Sequence, residues 1–285
     1  MKHCVRLWKN ARPIFRAFSV GMCLIRRNRR SGYPYRRVPR TWFGRWQRML
    51  CGLMAAMLIP TSVLARDLHT APRIDVALDV GHTLENPGVI SASGTPEFVH
   101  NLALARAVRD ALIAHGLRVQ MIGENGQMQS LAARPKQAAG ARLFVSIHHD
   151  SVQAHLLPRA REFSGFSLFV SRENPYQHSA LHCASAIGAQ MRAAQFLPSL
   201  YHADPILGEN RPFADRDNGV HWFDRLAVAR TQVLPALLFE AGVVVNPEEE
   251  LRITSPQTQA VMASAIAQGI VHCLRTANDR QPRLE

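Results

Sequence analysis

Residues 142–151 read RLFVSIHHDS, and this stretch decides the fold. The run LFVSI is apolar and contains β-branched and aromatic side chains, which is typical of a strand buried on both faces. It passes directly into three polar residues, His148, His149 and Asp150. In an open parallel α/β sheet, ligands bind beyond the carboxyl ends of the strands. The stretch therefore predicts a buried strand and one edge of a binding site.

The sequence on both sides alternates in the same way between apolar runs and helical periodicity. Strands are predicted at residues 74–79 (IDVALD), 119–122, 166–170, 227–231 and 235–239 (PALLF). Helices are predicted at residues 97–113, 130–139, 175–194 and 257–274. This alternation predicts a single α/β domain with a mostly parallel sheet flanked by helices. Residues 149–165 and 195–224 are rich in His, Pro, Asn and Asp and are interpreted as loops.

The positive charge is confined to the amino-terminal part of the chain. The 285 residues include 34 Lys and Arg against 21 Asp and Glu. Residues 1–66 contain 15 of the basic residues and no acidic one, so the other 219 residues carry 19 basic against 21 acidic side chains. A body with a slight negative charge has no excess of cations to neutralise phosphates, so a nucleic-acid-binding function is disfavoured.

The amino-terminal stretch is interpreted as an export signal. Residues 49–64 (MLCGLMAAMLIPTSVL) form a short apolar run that follows several arginines and precedes the small residue Ala65. The run is shorter than the roughly 20 apolar residues that a membrane-spanning helix needs. We therefore predict an export signal with a long basic region over residues 1–65 and a catalytic domain over residues 66–285. The alternative is an uncleaved signal, which would be the only attachment to a membrane.

Cys183 and Cys273 are the two cysteines of the predicted domain. An exported protein could join them in a disulfide. Each lies in an apolar, helix-like context, so two buried free cysteines are the preferred interpretation.

Polar side chains that can bind a metal follow three of the predicted strands. His82 follows the strand at residues 74–79, His148 the strand at 143–147 and Glu240 the strand at 235–239, while Glu97 opens the first helix on the same rim. Each residue alone has an ordinary structural explanation. Two imidazoles and one carboxylate together are the ligand set of a catalytic zinc site. Glu240 would then be available as a general base.

The order and spacing of four segments resemble the zinc-dependent N-acetylmuramoyl-L-alanine amidases, the family 3 cell-wall amidases of bacteria. These segments are ALDVGHT, GTPEFVHNLALARAVRDAL, RLFVSIHHDS and PALLFEAGVVVNPEEE. The resemblance covers residues 74–274 and implies a mixed-sheet fold like that of phosphorylases and zinc carboxypeptidases. It implies that His82, Glu97 and His148 bind Zn²⁺ and that Glu240 is catalytic. The implied reaction is hydrolysis of the amide bond between N-acetylmuramic acid and L-alanine in peptidoglycan.

The sequence departs from the family pattern beside two of these residues. His149 stands where the family commonly has a small residue, so it is a rival ligand to His148. His100 lies three residues after Glu97 and is a second rival, although helix packing or solvent exposure is the preferred explanation.

An insertion is predicted between His148 and Glu240. Within it, residues 195–224 are interpreted either as a lid that binds substrate or offers zinc a competing carboxylate such as Glu209, or as a solvated surface insertion.

Two other functions fit the same residues. One is a zinc peptidase or deacylase that acts on another exported substrate. The other is a non-catalytic peptidoglycan-binding regulator, which would not need all four site residues. We recognise no wall-binding repeat, so targeting or activation at a wall site would require a partner protein. A periplasmic or secreted location is expected.

Overall fold

The computed structural model describes residues 73–279, apart from residue 129. Its strands are β1 (Val76–Val80), β2 (Val119–Ile122), β3 (Leu143–Asp150), β4 (Ser167–Val170), β5 (Phe213–Asp215), β6 (Val220–Trp222) and β7 (Ala236–Val243). Its α-helices are α1 (Glu97–Ala114), α2 (Ala133–Gln137), α3 (Gln177–Ala193), α4 (Pro247–Ile253) and α5 (Pro256–Asp279). Two 3₁₀ segments, Ala154–Glu162 and Tyr201–Ala203, lie in the loops.

The strands form one mixed sheet in the order β2-β1-β3-β7-β4-β6-β5. Strands β2, β1, β3 and β7 are mutually parallel. Strand β4 runs antiparallel to β7, β6 is parallel to β4, and β5 is antiparallel to β6. The predicted single α/β domain with a mixed, mostly parallel sheet is confirmed. Strands β3 and β7 lie side by side at its centre, and they carry two of the predicted site residues.

Helices cover one face of the sheet and shorter segments cover the other. Side chains such as Leu78, Val145 and Phe239 pack with apolar residues of α1, α3 and α5 in the larger core. On the opposite face, Ala77 and Phe144 pack against residues around α2 and before β7. Because β1 and β3 are buried on both sides, each begins with three consecutive apolar residues, VAL and LFV, instead of an alternation of apolar and polar ones.

The sequence-based predictions fail mainly in the second half of the chain. Residues 227–231 form turns and no strand: the backbone NH groups of Ala229 and Arg230 donate to the carbonyl of Leu226. Two strands, β5 and β6, lie within residues 195–224, which were interpreted as a loop. Strands of three residues are too short to show periodicity, and here β6 joins the sheet by pairing with β4 and β5 by pairing with β6. Helix α4 was also missed; Asn246 caps it by accepting from the backbone NH groups of Glu248 and Glu249.

The preference for two free cysteines is wrong. Cys183 of α3 and Cys273 of α5 form a disulfide that joins residues 90 positions apart in the sequence, with a Cα–Cα distance of 5.0 Å. The two helices pack side by side over the sheet, so their apolar faces meet at the two cysteines. The apolar residues around each cysteine, which favoured free thiols, therefore form the contact between α3 and α5 that the disulfide crosses.

Replacing both cysteines by serine should lower the free energy of unfolding by about 2–5 kcal/mol, because the disulfide restricts a long loop in the unfolded chain. Urea titration of the oxidised protein and of the double variant measures the difference. Reduction of the wild-type protein should reproduce it, and equal midpoints would contradict a stabilising role.

None of the helices in the described part of the chain is long and apolar enough to cross a membrane. The predicted export signal, residues 1–65, lies outside the described residues.

Candidate active site

The loop after β1 presents His82 in an unusual backbone conformation. His82 has a φ of 68°, a left-handed value that residues with a side chain rarely adopt. The buried Arg134 holds this loop: its Nη1 donates to the carbonyl of Val80 at 2.6 Å, and its Nη2 donates to the carbonyl of His82. Arg134 also pairs with the buried Asp79 at 2.6 Å, and Asp79 accepts from the Ser146 hydroxyl. A buried ion pair thus fixes the direction in which His82 points.

Helix α1 and strand β3 bring two further residues to His82. The Glu97 carboxylate, at the first position of α1, lies 2.9 Å from Nε2 of His82 and 3.1 Å from Nδ1 of His148. One candidate ligand atom from each of the three residues lies within 4.8 Å of the others. The structure therefore assembles His82, Glu97 and His148, the predicted set, as a candidate metal site.

The electrostatics of Glu97 suit a metal ligand. Burial alone would raise the pKa of this carboxyl, but hydrogen bonds from His148 and His82 outweigh burial and hold its pKa well below the usual range. Glu97 therefore stays ionised, although it is only 3% exposed.

Two glycines leave room for these side chains. A Cβ at Gly81 would lie 2.4 Å from the His148 ring, and a Cβ at Gly88 would lie 2.4 Å from Oε2 of Glu97. The backbone therefore approaches the cluster more closely than any other residue type would allow.

The two rival ligands lie outside the cluster. Successive side chains of a strand point to opposite faces, so His149 points away from His148. Its Nδ1 bonds to Oδ1 of Asn101 at 2.8 Å in the buried core. His100 instead faces Glu250, with 3.4 Å between Nε2 and Oε1.

Asn101 connects His149 to Glu97. Its amide nitrogen donates to Oε1 of Glu97 at 3.1 Å and to the carbonyl of Gly81 at 3.3 Å. Asn101 is fully buried and lies one helical turn after Glu97. The Asn101 amide therefore fixes the orientation of the Glu97 carboxylate.

Replacing Asn101 by leucine, which has a similar size, should weaken metal affinity by about 10- to 100-fold, as is typical when a group that orients a ligand is lost. Competition with a chromophoric chelator measures the affinity. Val108→Ala is the matched control, because Val108 is a fully buried core residue of the same helix. Equal affinity in Asn101→Leu and wild type would contradict the positioning role.

Glu240 of β7 lies beside the cluster. It is the register partner of His148 in the adjacent parallel strand, so both side chains project from the same side of the sheet. Burial raises the pKa of Glu240 well above its usual range, the charges of Asp150 and Glu97 raise it further, and Arg211 opposes them. Its buried Oε2 has no hydrogen-bond partner among the described residues.

The three candidate ligands and Glu240 line one cleft of about 350 Å³. Residues 195–224 supply part of its wall, so the interpretation as a surface insertion without a role in the site is not supported by the geometry. His202 bonds through Nε2 to Oδ2 of Asp150 at 2.9 Å and through Nδ1 to Oε2 of Glu209 at 2.8 Å. Glu209 also accepts from Gln153 at 2.7 Å. Its carboxylate is thus bound within the wall and is not directed at the cluster as a competing ligand.

His221 of β6 packs against this wall, with its ring centre 5.5 Å from that of His202, and its protonation should affect stability. Burial lowers the pKa of His221 to about 4. An unfolded chain takes up a proton near pH 6.5, whereas the folded chain does not until about pH 4, so stability is lost as the pH falls through this window. His221→Gln should therefore lose about 2 kcal/mol less than wild type between pH 7 and pH 5. Urea titrations at both pH values measure this difference, and parallel losses would contradict it.

Comparison with known proteins decides the family. The family model described as N-acetylmuramoyl-L-alanine amidase matches residues 76–272, which span β1 to α5 and include the cluster and Glu240. The chain belongs to the N-acetylmuramoyl-L-alanine amidase family.

Individual members of this amidase family are similar over most of the chain. The amidase AmiA of Salmonella typhimurium is 27% identical over 251 residues, which cover 78% of this chain and 86% of the relative. The amidase AmiA of Escherichia coli is 27% identical over 218 residues, 69% of this chain and 74% of the relative. The solved structure of the amidase Ami1 from Mycobacterium smegmatis has a TM-score of 0.58 at 22% identity, and the match covers 71% of this chain and 97% of that one. This likeness shows the shared fold.

Sequence reasoning missed two residues that position the amidase cluster. Asn101 had a readable signal, because it lies four positions after Glu97 and therefore on the same face of α1. Arg134 had none, since its burial against Asp79 depends on how α2 packs on the sheet.

Proposed function

We propose that this chain is a zinc-dependent hydrolase that cleaves the amide bond between N-acetylmuramic acid and L-alanine in peptidoglycan. The observation that carries the proposal is the arrangement of His82, Glu97 and His148 beside Glu240 in one cleft. Membership in the amidase family supports the substrate.

The residues present fit a zinc ion. Two imidazole nitrogens and one carboxylate oxygen are a common catalytic zinc set, which leaves a further position open. Gly81 and Gly88 have no Cβ that would clash with the His148 and Glu97 side chains. Asn101 orients Glu97 by a hydrogen bond, as is common for residues that contact zinc ligands. We assign the three ligand roles to His82, Glu97 and His148.

Glu240 is proposed as the general base. When bound, Zn²⁺ would polarise the scissile carbonyl and lower the pKa of a water molecule towards about 7. Glu240 takes a proton from the attacking water, since its side chain lines the cleft and the residue is partly exposed there. It then gives this proton to the amide nitrogen as the C–N bond breaks, which leaves the lactyl carboxylate and the free amine of L-alanine. A raised pKa suits a group that must both accept and return a proton.

The location proposed for this activity is the periplasm or the outside of the cell. The predicted export signal over residues 1–65 and the Cys183–Cys273 disulfide support an oxidising compartment. We propose that a partner protein provides targeting or activation, since we recognise no wall-binding repeat in the sequence.

Dye release from labelled cell-wall sacculi tests the proposal. Purified residues 66–285 should release dye, a chelator should stop release, and added Zn²⁺ should restore it. Product analysis should find stem peptides with a free amino-terminal L-alanine. Release of fragments cut within the stem would favour the alternative zinc peptidase, and binding without release would favour the non-catalytic regulator.

A further inference from the structure

One cation of the cleft takes no part in the chemistry above. Among the described residues that line the cleft, Arg211 carries the only guanidinium or ammonium group. The candidate ligands and Glu240 line the same cleft. A fixed cation there is available to an anionic group of the substrate.

Contacts on several sides hold the Arg211 side chain in place. Its guanidinium carbon lies 4.3 Å from the centre of the Phe223 ring and 5.7 Å from that of Phe169. Nη1 pairs with Glu209, and Nη2 donates to the carbonyl of Gly208 at 3.2 Å. A cation ordered before the ligand arrives loses little conformational entropy on binding.

Arg211 retains capacity for another acceptor. A guanidinium has five NH donors in a planar fork that matches a carboxylate. Its contacts in the structure are Glu209, the carbonyl of Gly208 and, at 3.4 Å, Nδ1 of His202, which leaves donors of the fork free, and 16% of the side chain is exposed. The Glu209 carboxylate also contacts Nδ1 of His202 and accepts a hydrogen bond from Gln153, so Arg211 is not its sole partner.

The imidazole of His202 and the hydroxyl of Tyr201 are already bonded to other groups. Both ring nitrogens of His202 face carboxylates, and the Tyr201 hydroxyl donates to Asp150 at 2.7 Å. Arg211 and Glu240 line the same cleft of about 350 Å³. An anion held by Arg211 would therefore lie near the reacting bond.

We propose that Arg211 is a specificity-determining residue that binds a free carboxylate of the peptide stem. The inference rests on the proposed function. A peptidoglycan stem offers two kinds of carboxylate: the α-carboxylate of a γ-linked D-glutamate and the terminal carboxylate. Both present the same planar acceptor to the guanidinium.

Soluble, uncrosslinked glycan strands with three defined stems test the inference on the zinc-loaded protein. The first stem carries both free carboxylates, the second has D-isoglutamine in place of D-glutamate, and the third has a terminal carboxamide. For wild type, one of the two amidations should lower kcat/KM by about tenfold or more, as expected when a charge-assisted hydrogen bond is lost. The amidation that has this effect identifies the carboxylate.

Variants of Arg211 then test whether this side chain causes the preference for the free carboxylate. Arg211→Gln should treat the free and amidated stems nearly alike, and Arg211→Lys, which keeps the charge but loses the fork, should keep part of the preference. The exposed Arg225 provides the control, because Arg225→Gln should discriminate as wild type does.

Two results would overturn the inference alone: equal cleavage of all three stems by wild type, or full discrimination by a folded, metal-loaded Arg211→Gln. The wild-type comparison does not depend on the folding of any variant. Failure to cleave any stem, together with no dye release from sacculi, would overturn the proposed function as well.

Discussion

Replacing Glu240 by glutamine should lower kcat by about 100- to 10,000-fold, the usual contribution of general acid–base catalysis. The amide has almost the same shape as the carboxylate but cannot take the proton from water. Glu240 lies on the central strand β7, and its Oε2 is buried without a hydrogen-bond partner among the described residues. Its replacement therefore removes no contact seen in the structure, and the fold should persist.

The measurement is the initial rate of dye release, with the metal content of each preparation determined in parallel. Glu209→Gln is the informative comparison, because Glu209 is the glutamate of the cleft lining that is neither a proposed ligand nor the proposed base, and it is bound by His202 and Gln153. We expect that variant to keep most of its turnover. Near-normal turnover in Glu240→Gln would instead assign the base to another acid.

Replacing His148 by alanine should remove both metal and activity, whereas replacing His149 should leave about one zinc ion per chain. Metal analysis after dialysis measures both. The physical reason is the alternation of side chains along β3, which directs His148 to Glu97 and His149 to Asn101. His149→Ala should nevertheless lose some stability, since it leaves the Asn101 carbonyl oxygen without its buried partner.

The reverse result, with metal lost only in His149→Ala, would overturn the choice of ligand. Loss of metal in both variants would show that the bond from His149 to Asn101 supports the site as strongly as direct ligation. Unfolding midpoints of both variants separate these effects from a general loss of structure.

Much of the sheet could be predicted because its signals are local. Strand β2 has the predicted bounds, and β3 begins at the predicted residue 143. Helix α1 begins at Glu97, where an acidic residue favours the positive end of the helix dipole. Continuous apolar runs and helical periodicity need only neighbouring residues to be recognised.

Elements that depend on distant partners were missed or misassigned. Strands β5 and β6 are short and become strands only at the edge beside β4. The disulfide requires α3 and α5 to meet across 90 positions of sequence, so the local context of each cysteine could not predict it.

For the site, the sequence by itself determined the candidate residues and the edge of the sheet where they lie. The positions of His82, Glu97, His148 and Glu240 relative to strand and helix ends are local properties, and they sufficed for this. Only the tertiary structure decided which histidine faces the Glu97 carboxylate, that Arg134 holds the loop of His82, and which residues pack around Arg211 in the wall of the cleft. These features depend on side-chain direction and on packing between segments far apart in the chain, which no local pattern records.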